Sequence, residues 1–330
     1  MNVIVRPPTR RTRRYARLLS VIAVVWIVWP AHAADPQMPG SATGETSSTT
    51  LVYASDYLSF IGRDEQGYVA FALDTNRGQD GDAFQAEHLA VLHDERQGWV
   101  DLAGNGAYDN MEKELLGLPD SLFFQFDGAP ASGLSVASPP NHLVLRVAPI
   151  PQRHRHADGH STVWMGSAAA TLTWHERTIP GRVIYEYVFM PNFNRLTRTY
   201  VGMWKEFQGL YLAAGADIDL YVHTHQSKRL APLVGKLVGF AAFDGETQAL
   251  DDLDVMVMDH AFAPGFYRWP TEWSITWRGP QGAASLSLSL HERKQIGNWV
   301  IGGFAMGIVR GEVTYSGVTK PVYGLAELIM

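Results

Sequence analysis

The sequence predicts an all-β protein: two antiparallel β-barrels related by an internal repeat, with one short helix. Three observations carry this. From Leu51 onward, apolar and polar residues alternate in segments of four to ten residues. Turn chemistry separates the segments at Gly62-Arg63-Asp64, Asn76-Arg77-Gly78, Ala103–Gly106, Asp244-Gly245 and Arg278-Gly279-Pro280. A shift of 141 residues lays Met165-Gly166 on Met306-Gly307, Thr178 on Thr319, Pro180 on Pro321 and Glu186 on Glu327 without a gap.

The first segment stands outside the fold. Arg6, Arg10, Arg11, Arg13, Arg14 and Arg17 precede the apolar run Leu18–Trp29, and Ala31-His32-Ala33 puts small residues where a signal peptidase reads. Residues 1–33 therefore read as a secretory signal peptide, which implies a periplasmic or secreted protein. The apolar run is short for a bilayer, so no stable membrane anchor is expected after cleavage. Residues 34–49 are small, polar and rich in Pro and Gly, and read as a flexible mature N-terminus. Without the leader, 21 basic residues face 33 acidic ones, a net charge of −12 that argues against nucleic acid as a partner. There is no cysteine, which excludes thiol catalysis, thiolate metal sites and disulfides. Stability must then come from burial of a core.

Barrel 1 is expected over residues 50–194. Its one helix would be capped by Asp109, with Glu112 completing a capping box, Met111 touching Leu115, and Gly117 and Pro119 stopping it. Pro191–Asn194 is the seam, and barrel 2 is expected over residues 195–330. Asp244-Gly245 after Val238–Phe243 signals a hairpin. Ala283–Leu290 is the plainest strand, with Leu286, Leu288 and Leu290 on one face and serines on the other. So many short strands need their edges disposed of, by barrel closure or a sandwich.

Several short motifs resemble a known family. Val309-Arg310-Gly311-Glu312-Val313 followed by Gly324–Leu328, Trp269-Pro270-Thr271-Glu272-Trp273 before Leu286–Leu290, and Trp204-Lys205-Glu206-Phe207-Gln208 are similar to strands of a two-domain, lipocalin-like superfamily. That superfamily includes the carotenoid hydratases (hydroxyneurosporene synthases) and the AttH-type secreted predicted hydrolases. The family's first-strand aromatic signature falls on Asp56-Tyr57-Leu58-Ser59, and its Asp-His-x-Trp is replaced by Tyr185-Glu186-Tyr187-Val188. The resemblance implies lipocalin-like barrels and an apolar isoprenoid, polyene or lipid substrate.

Candidate site residues follow from strand alternation. On an extended Val183–Met190, Glu186 shares a face with Ile184, Val188 and Met190, where burial would raise its pKa and suit it to general acid work. Its repeat mate Glu327 lies among apolar residues too, and Asp74 is the third candidate acid. Both glutamates also read as paired structural acids at the barrel seam. Tyr57, Tyr185, Tyr187, Trp204, Tyr221, His223 and Trp273 are the candidate ligand-binding side chains, since aromatics give a cavity large contact area. Asp74, Arg77, Glu87 and His88 form a further polar group at the mouth of barrel 1. His223-x-His225 on a strand, and His154, His156 and His160 in a polar loop, have metal-ligand spacing but complete no ligand set, so no metal is expected. Nor is a cofactor, since phosphate loops and dinucleotide fingerprints are lacking. The leading expectation is an exported protein that binds a hydrophobic small molecule and hydrates, isomerises or cyclises it by cofactor-independent acid–base chemistry. A non-catalytic carrier of such a ligand is the alternative, and a metal-dependent barrel enzyme the third possibility.

Overall fold

The computed structural model describes residues 53–80, 83–111, 118, 120–150, 153–157, 162–190, 205–215, 218–227, 236–243, 246–263, 267–279, 282–299 and 302–329. The expected signal peptide, the segment 34–49 and the seam at residue 194 lie outside these residues. Eleven strands form the first sheet. They are β1 (Tyr53–Asp64), β2 (Gly67–Asp80), β3 (Ala83–Asp94), β4 (Gly98–Val100), β5 (Ala107–Met111) and β6 (Gln125–Ala129), then β7 (Gly133–Ser138), β8 (Leu143–Val147), β9 (His154–Ala157), β10 (Thr162–Trp174) and β11 (Arg177–Met190). Nine form the second. They are β12 (Lys205–Ala214), β13 (Ile218–Ser227), β14 (Lys236–Phe243), β15 (Glu246–Ala249) and β16 (Asp251–Ala263), then β17 (Tyr267–Gly279), β18 (Gly282–Trp299), β19 (Gly302–Tyr315) and β20 (Val318–Ile329).

The two sheets repeat one plan. The first runs β4-β3-β2-β1-β11-β10-β8-β7-β6, with β5 on β3 and β9 on β10, and the second runs β15-β14-β13-β12-β20-β19-β18-β17-β16. In each, the opening strand pairs with the closing strand. The 141-residue repeat is the closing hairpin: Glu186 pairs with Met165 on β10–β11, and Glu327 with Met306 on β19–β20. Even the turns correspond, with His175 at φ 52° and Ser316 at φ 53°. Ser316 and Gly317 both have positive φ, the conformation a two-residue type I′ hairpin loop requires.

Alternation gives every strand two faces. On β18, Ala284, Leu286 and Leu288 are buried while Ser285, Ser287 and Ser289 are exposed. One face of the first sheet packs on its own core, around Leu58, Phe60, Phe71, Leu92, Leu172 and Val183. The second sheet does likewise around Leu212, Leu220, Trp269, Trp273, Leu286 and Val309. A third cluster joins the sheets: Tyr53, Tyr57, Met165, Ile184 and Val188 pack against Tyr211, Tyr221, Phe240, Ile308 and Leu325. Across this seam β1 meets β12, β11 meets β13, and β20 meets β2. Fully burying a large apolar side chain is worth about 1.5–3 kcal/mol, so three such cores stabilise a chain that has no cysteine.

Two local expectations are corrected. Asp109 and Met111 lie in β5, paired to β3 at Ala86 and Phe84, so Asp109 caps no helix. Pairing to an existing strand overrides the local capping signal, and residues 112–117 and 119 lie outside the described residues. Asn76-Arg77-Gly78 is not a turn but lies in the second half of β2, whose ladder continues to Asp80 opposite Ala83. The turn at Ala103–Gly106 is present. Phe243 pairs with Glu246, so the expected hairpin forms, and Gly279 pairs with Gly282 where a turn was expected.

Candidate functional site

Register places the candidate acids. Tyr57 on β1 pairs with Glu186 on one side and Asp74 on the other, and Glu186 pairs with Met165. Directly paired residues share a face, so Asp74, Tyr57, Glu186 and Met165 form one row on the face turned to the second sheet. The corresponding row of the second sheet is His223, Gly209, Glu327 and Met306. The sequence expectation put Glu186 on an apolar face of its strand and did not say what that face packs against. The structure puts it between the two sheets, where Ile184 and Val188 also pack.

Here three carboxyls are buried together. Glu186 is 4% exposed, Glu327 6% and Asp74 7%. Tyr221 Oη donates a hydrogen bond to Glu186 Oε2. Tyr211 Oη lies 3.3 Å from Glu186 Oε2 and 3.3 Å from Glu327 Oε2. A hydroxyl carries one proton and an ionised carboxylate only accepts, so Tyr211 satisfies both acids only when one of them is protonated. Ser55 Oγ donates to Asp74 Oδ1 at 2.5 Å, and Asn76 Nδ2 donates to Asp74 Oδ2 at 2.8 Å. Tyr53 Oη donates in turn to Asn76 Oδ1. The Tyr57 ring stacks on Tyr211, centroids 4.5 Å apart, and Tyr211 packs on Tyr221.

Desolvation dominates the electrostatics. It pushes the Glu186 carboxyl up to about 7, against hydrogen bonds from Tyr221 and Tyr211 and with help from the charge on Asp74. Asp74 rises to about 6 by the same cause, although Ser55 and Asn76 favour its ionised form. Glu327 is raised well above the usual carboxylate range by burial, then by Asp74 and Glu186. Among the described residues, no Arg or Lys pairs with Glu186 or Glu327. The seam thus holds three acids whose ionisation burial resists, two of them bonded to tyrosine hydroxyls.

The other candidates lie elsewhere. Tyr185 and Tyr187 occupy the opposite face of β11, within the first sheet's own core. Tyr185 Oη donates to Asp56 Oδ1 at 2.5 Å, Arg77 pairs with Asp56, and the Arg77 guanidinium lies over the Tyr187 ring. His88 approaches Thr75 on the same side. These residues form a buried ion pair with aromatic walls, separate from the three acids. Trp273 is in the second sheet's core, its indole N–H donating to Gln208 Oε1 at 2.8 Å. Tyr221 is in the seam. Trp204 lies outside the described residues, as do the side chains of His223 and His225 and all of His160; among the described residues no group of three or more metal-ligating side chains assembles. Sequence reasoning missed Tyr211, although its pairing opposite Tyr221 in the β12–β13 hairpin was a signal available from alternation. It also missed the ties across the seam: Arg182 to Asp219 at 2.5 Å, Arg310 to Glu95 at 2.9 Å, and Tyr323 to His93 at 3.1 Å.

No family model matches the sequence, and no curated protein matches it. Solved structures do. An AttH candidate from Nitrosomonas europaea has a TM-score of 0.59 at 10% identity, over 89% of this chain and 98% of that one. Kievitone hydratase from Nectria haematococca gives 0.53 at 10% identity, over 83% and 88%. CghA, solved with Sch210972, gives 0.50 at 13% identity, over 90% and 95%. At these identities the likeness is one of architecture: the chain has the two-unit, all-β, lipocalin-like fold of these proteins, as the sequence motifs implied.

Proposed function

We propose that the seam between the sheets is an acid–base site acting, without a cofactor, on an apolar small molecule of isoprenoid, polyene or lipid type in an exported protein. The observation that carries this reading is the cluster of Glu186, Glu327 and Asp74, buried against tyrosine rings with no cation among the described residues paired to either glutamate. Neutral acids of this kind are costly to ionise and so are effective proton donors near pH 7. In the reaction envisaged, the Glu186 O–H adds its proton to a substrate double bond, leaving Glu186 as carboxylate and the substrate as a carbocation. The faces of Tyr57, Tyr211 and Tyr221 stabilise the cation through their ring quadrupoles. Loss of a neighbouring C–H proton to Glu327 or Asp74 gives an isomer. Attack by water, with its proton passing to the same base, gives a hydrate; attack by a second double bond closes a ring and moves the cation, which the same base quenches by taking a neighbouring C–H proton. Tyr211, touching both glutamates, offers the path by which the proton returns to Glu186. That one fold neighbour is a hydratase by name supports hydration among the three outcomes.

The test uses isoprenoids and polyenes, with and without oxygen groups, incubated with the protein in D₂O and read by mass spectrometry. Deuterium should enter at carbon, and Glu186→Gln should lower the rate by about 10²-fold or more while ligand still binds. Tight binding with no deuterium incorporation in the wild type would replace this reading with that of a carrier.

A further inference from the structure

The carboxyls are not the only polar groups on this face. Tyr57 Oη, Ser59 Oγ and Ser167 Oγ are all buried, and none has a hydrogen-bond partner among the described residues. They lie close together. Tyr57 and Ser59 are two residues apart on β1 and so share a face, about 7 Å apart along the strand. Ser59 and Ser167 pair with Ile184 from either side, which sets their strands roughly 10 Å apart. Ile184 is two residues from Glu186 and belongs to the cluster between the sheets, so all three hydroxyls face the second sheet beside the acid.

Buried hydroxyls in native proteins are nearly always hydrogen-bonded, and leaving one unpaired costs free energy. Three on one face, next to the acids, mark a surface prepared for another molecule's polar atoms. A hydroxyl both donates and accepts, which suits ketone, phenol, ether and alcohol oxygens. The burial that opposes ionisation of the flanking carboxyls opposes bringing an anion here as well. Resting on the acid–base reading above, we propose that the molecule taken here is a neutral oxygenated apolar compound, held by hydrogen bonds from Tyr57, Ser59 and Ser167, and neither a pure hydrocarbon nor an acid. Tyr57, in the same row as Glu186 and Asp74, orients the oxygen nearest the reacting carbon; Ser59 and Ser167, on either side of Ile184, each offer a hydroxyl to a further oxygen.

The test is a binding comparison on the full chain by intrinsic fluorescence, using farnesal and a prenylated diphenol as neutral oxygenated probes, farnesene as hydrocarbon and farnesoic acid as anion. The neutral oxygenated probes should bind at least tenfold tighter than farnesene and farnesoic acid. Tyr57→Phe should lose about tenfold for farnesal, and Ser59→Ala with Ser167→Ala about tenfold for the diphenol, leaving farnesene binding unchanged. Thermal melts of each variant verify folding. Preference for farnesene or the acid, failure of both oxygenated probes to bind, or unchanged affinities in all variants overturns the inference. Oxygen-selective binding without deuterium incorporation supports it while ending the catalytic reading; deuterium incorporation with hydrocarbon preference does the reverse.

Discussion

Replacing Glu186 by Gln removes a buried acid whose ionisation the fold resists, and the effect on stability has a definite sign and size. The carboxyl titrates near 4.5 in an exposed chain and near 7 in the folded protein. Below pH 4.5 it is protonated in both states and its full contribution is present. Between the two values the folded state binds more protons, so stability falls as pH rises. Above about 7 both states are ionised and the loss is complete, at about 3 kcal/mol given 1.36 kcal/mol for each tenfold in proton affinity. Gln keeps the shape and can still accept from Tyr221, but it does not titrate. Between pH 5 and 8.5 the wild type should therefore lose about 3 kcal/mol more than Glu186→Gln, or roughly 6 °C in Tm for a chain of this size. Circular dichroism melts of both proteins across that range measure it. Parallel curves would refute the placement of Glu186 as an unpaired buried acid. A wild type less stable than its own Gln variant at pH 8 would be expected of a group kept for chemistry at stability's expense.

Asp74→Asn should lower the pKa of both Glu186 and Glu327, because it removes a like charge that raises each; carboxyl ¹³C NMR titration reads this directly. Arg182→Met should destabilise by about 3 kcal/mol in urea unfolding, since it strips a close cation from the fully buried Asp219, and adding Asp219→Asn should recover part of that loss. Gln208→Leu should cost about 1–2 kcal/mol by leaving the Trp273 indole N–H buried without its acceptor. Ser316→Asn should stabilise slightly, by about 0.5 kcal/mol in the same assay, because Asn-Gly suits a loop with two positive φ values better than Ser-Gly.

The closing hairpins, the Leu286–Leu290 alternation and the shared register of Glu186 and Glu327 were legible because each is a local pattern of period two or a direct repeat. The seam was not. Alternation says that Ile184, Glu186 and Val188 share a face, but an apolar face reads the same whether it turns to its own sheet's core or to a second sheet. Tyr185 and Tyr187 became candidates as aromatics able to line a cavity, and they lie on the face of β11 opposite Glu186, in the first sheet's own core. Arg77 read as part of a turn because its partner, Asp56, is distant in sequence and only strand pairing brings them together. Of the three hydroxyls without a partner among the described residues, Tyr57 was a candidate, but Ser59 and Ser167 had no signature: serine in a strand is ordinary until the positions of its neighbours are known.

The exchange of partners across the seam, β1 with β12 and β11 with β13 as β20 with β2, is the pattern of an isologous contact, one in which two copies of a unit use the same patch on each other. A true two-fold dimer is bound by that symmetry: whatever residue stands on one side must stand on the other. Carrying both copies on one chain lifts the constraint. Where the first half has Tyr57 the second has Gly209, and where the first has Asp74 the second has His223, while Glu186 and Glu327 remain matched. The fused pair thus keeps one acid from each half and lets the surroundings of the two differ, so that the residues along the seam are asymmetric although the strand plan that builds it is not.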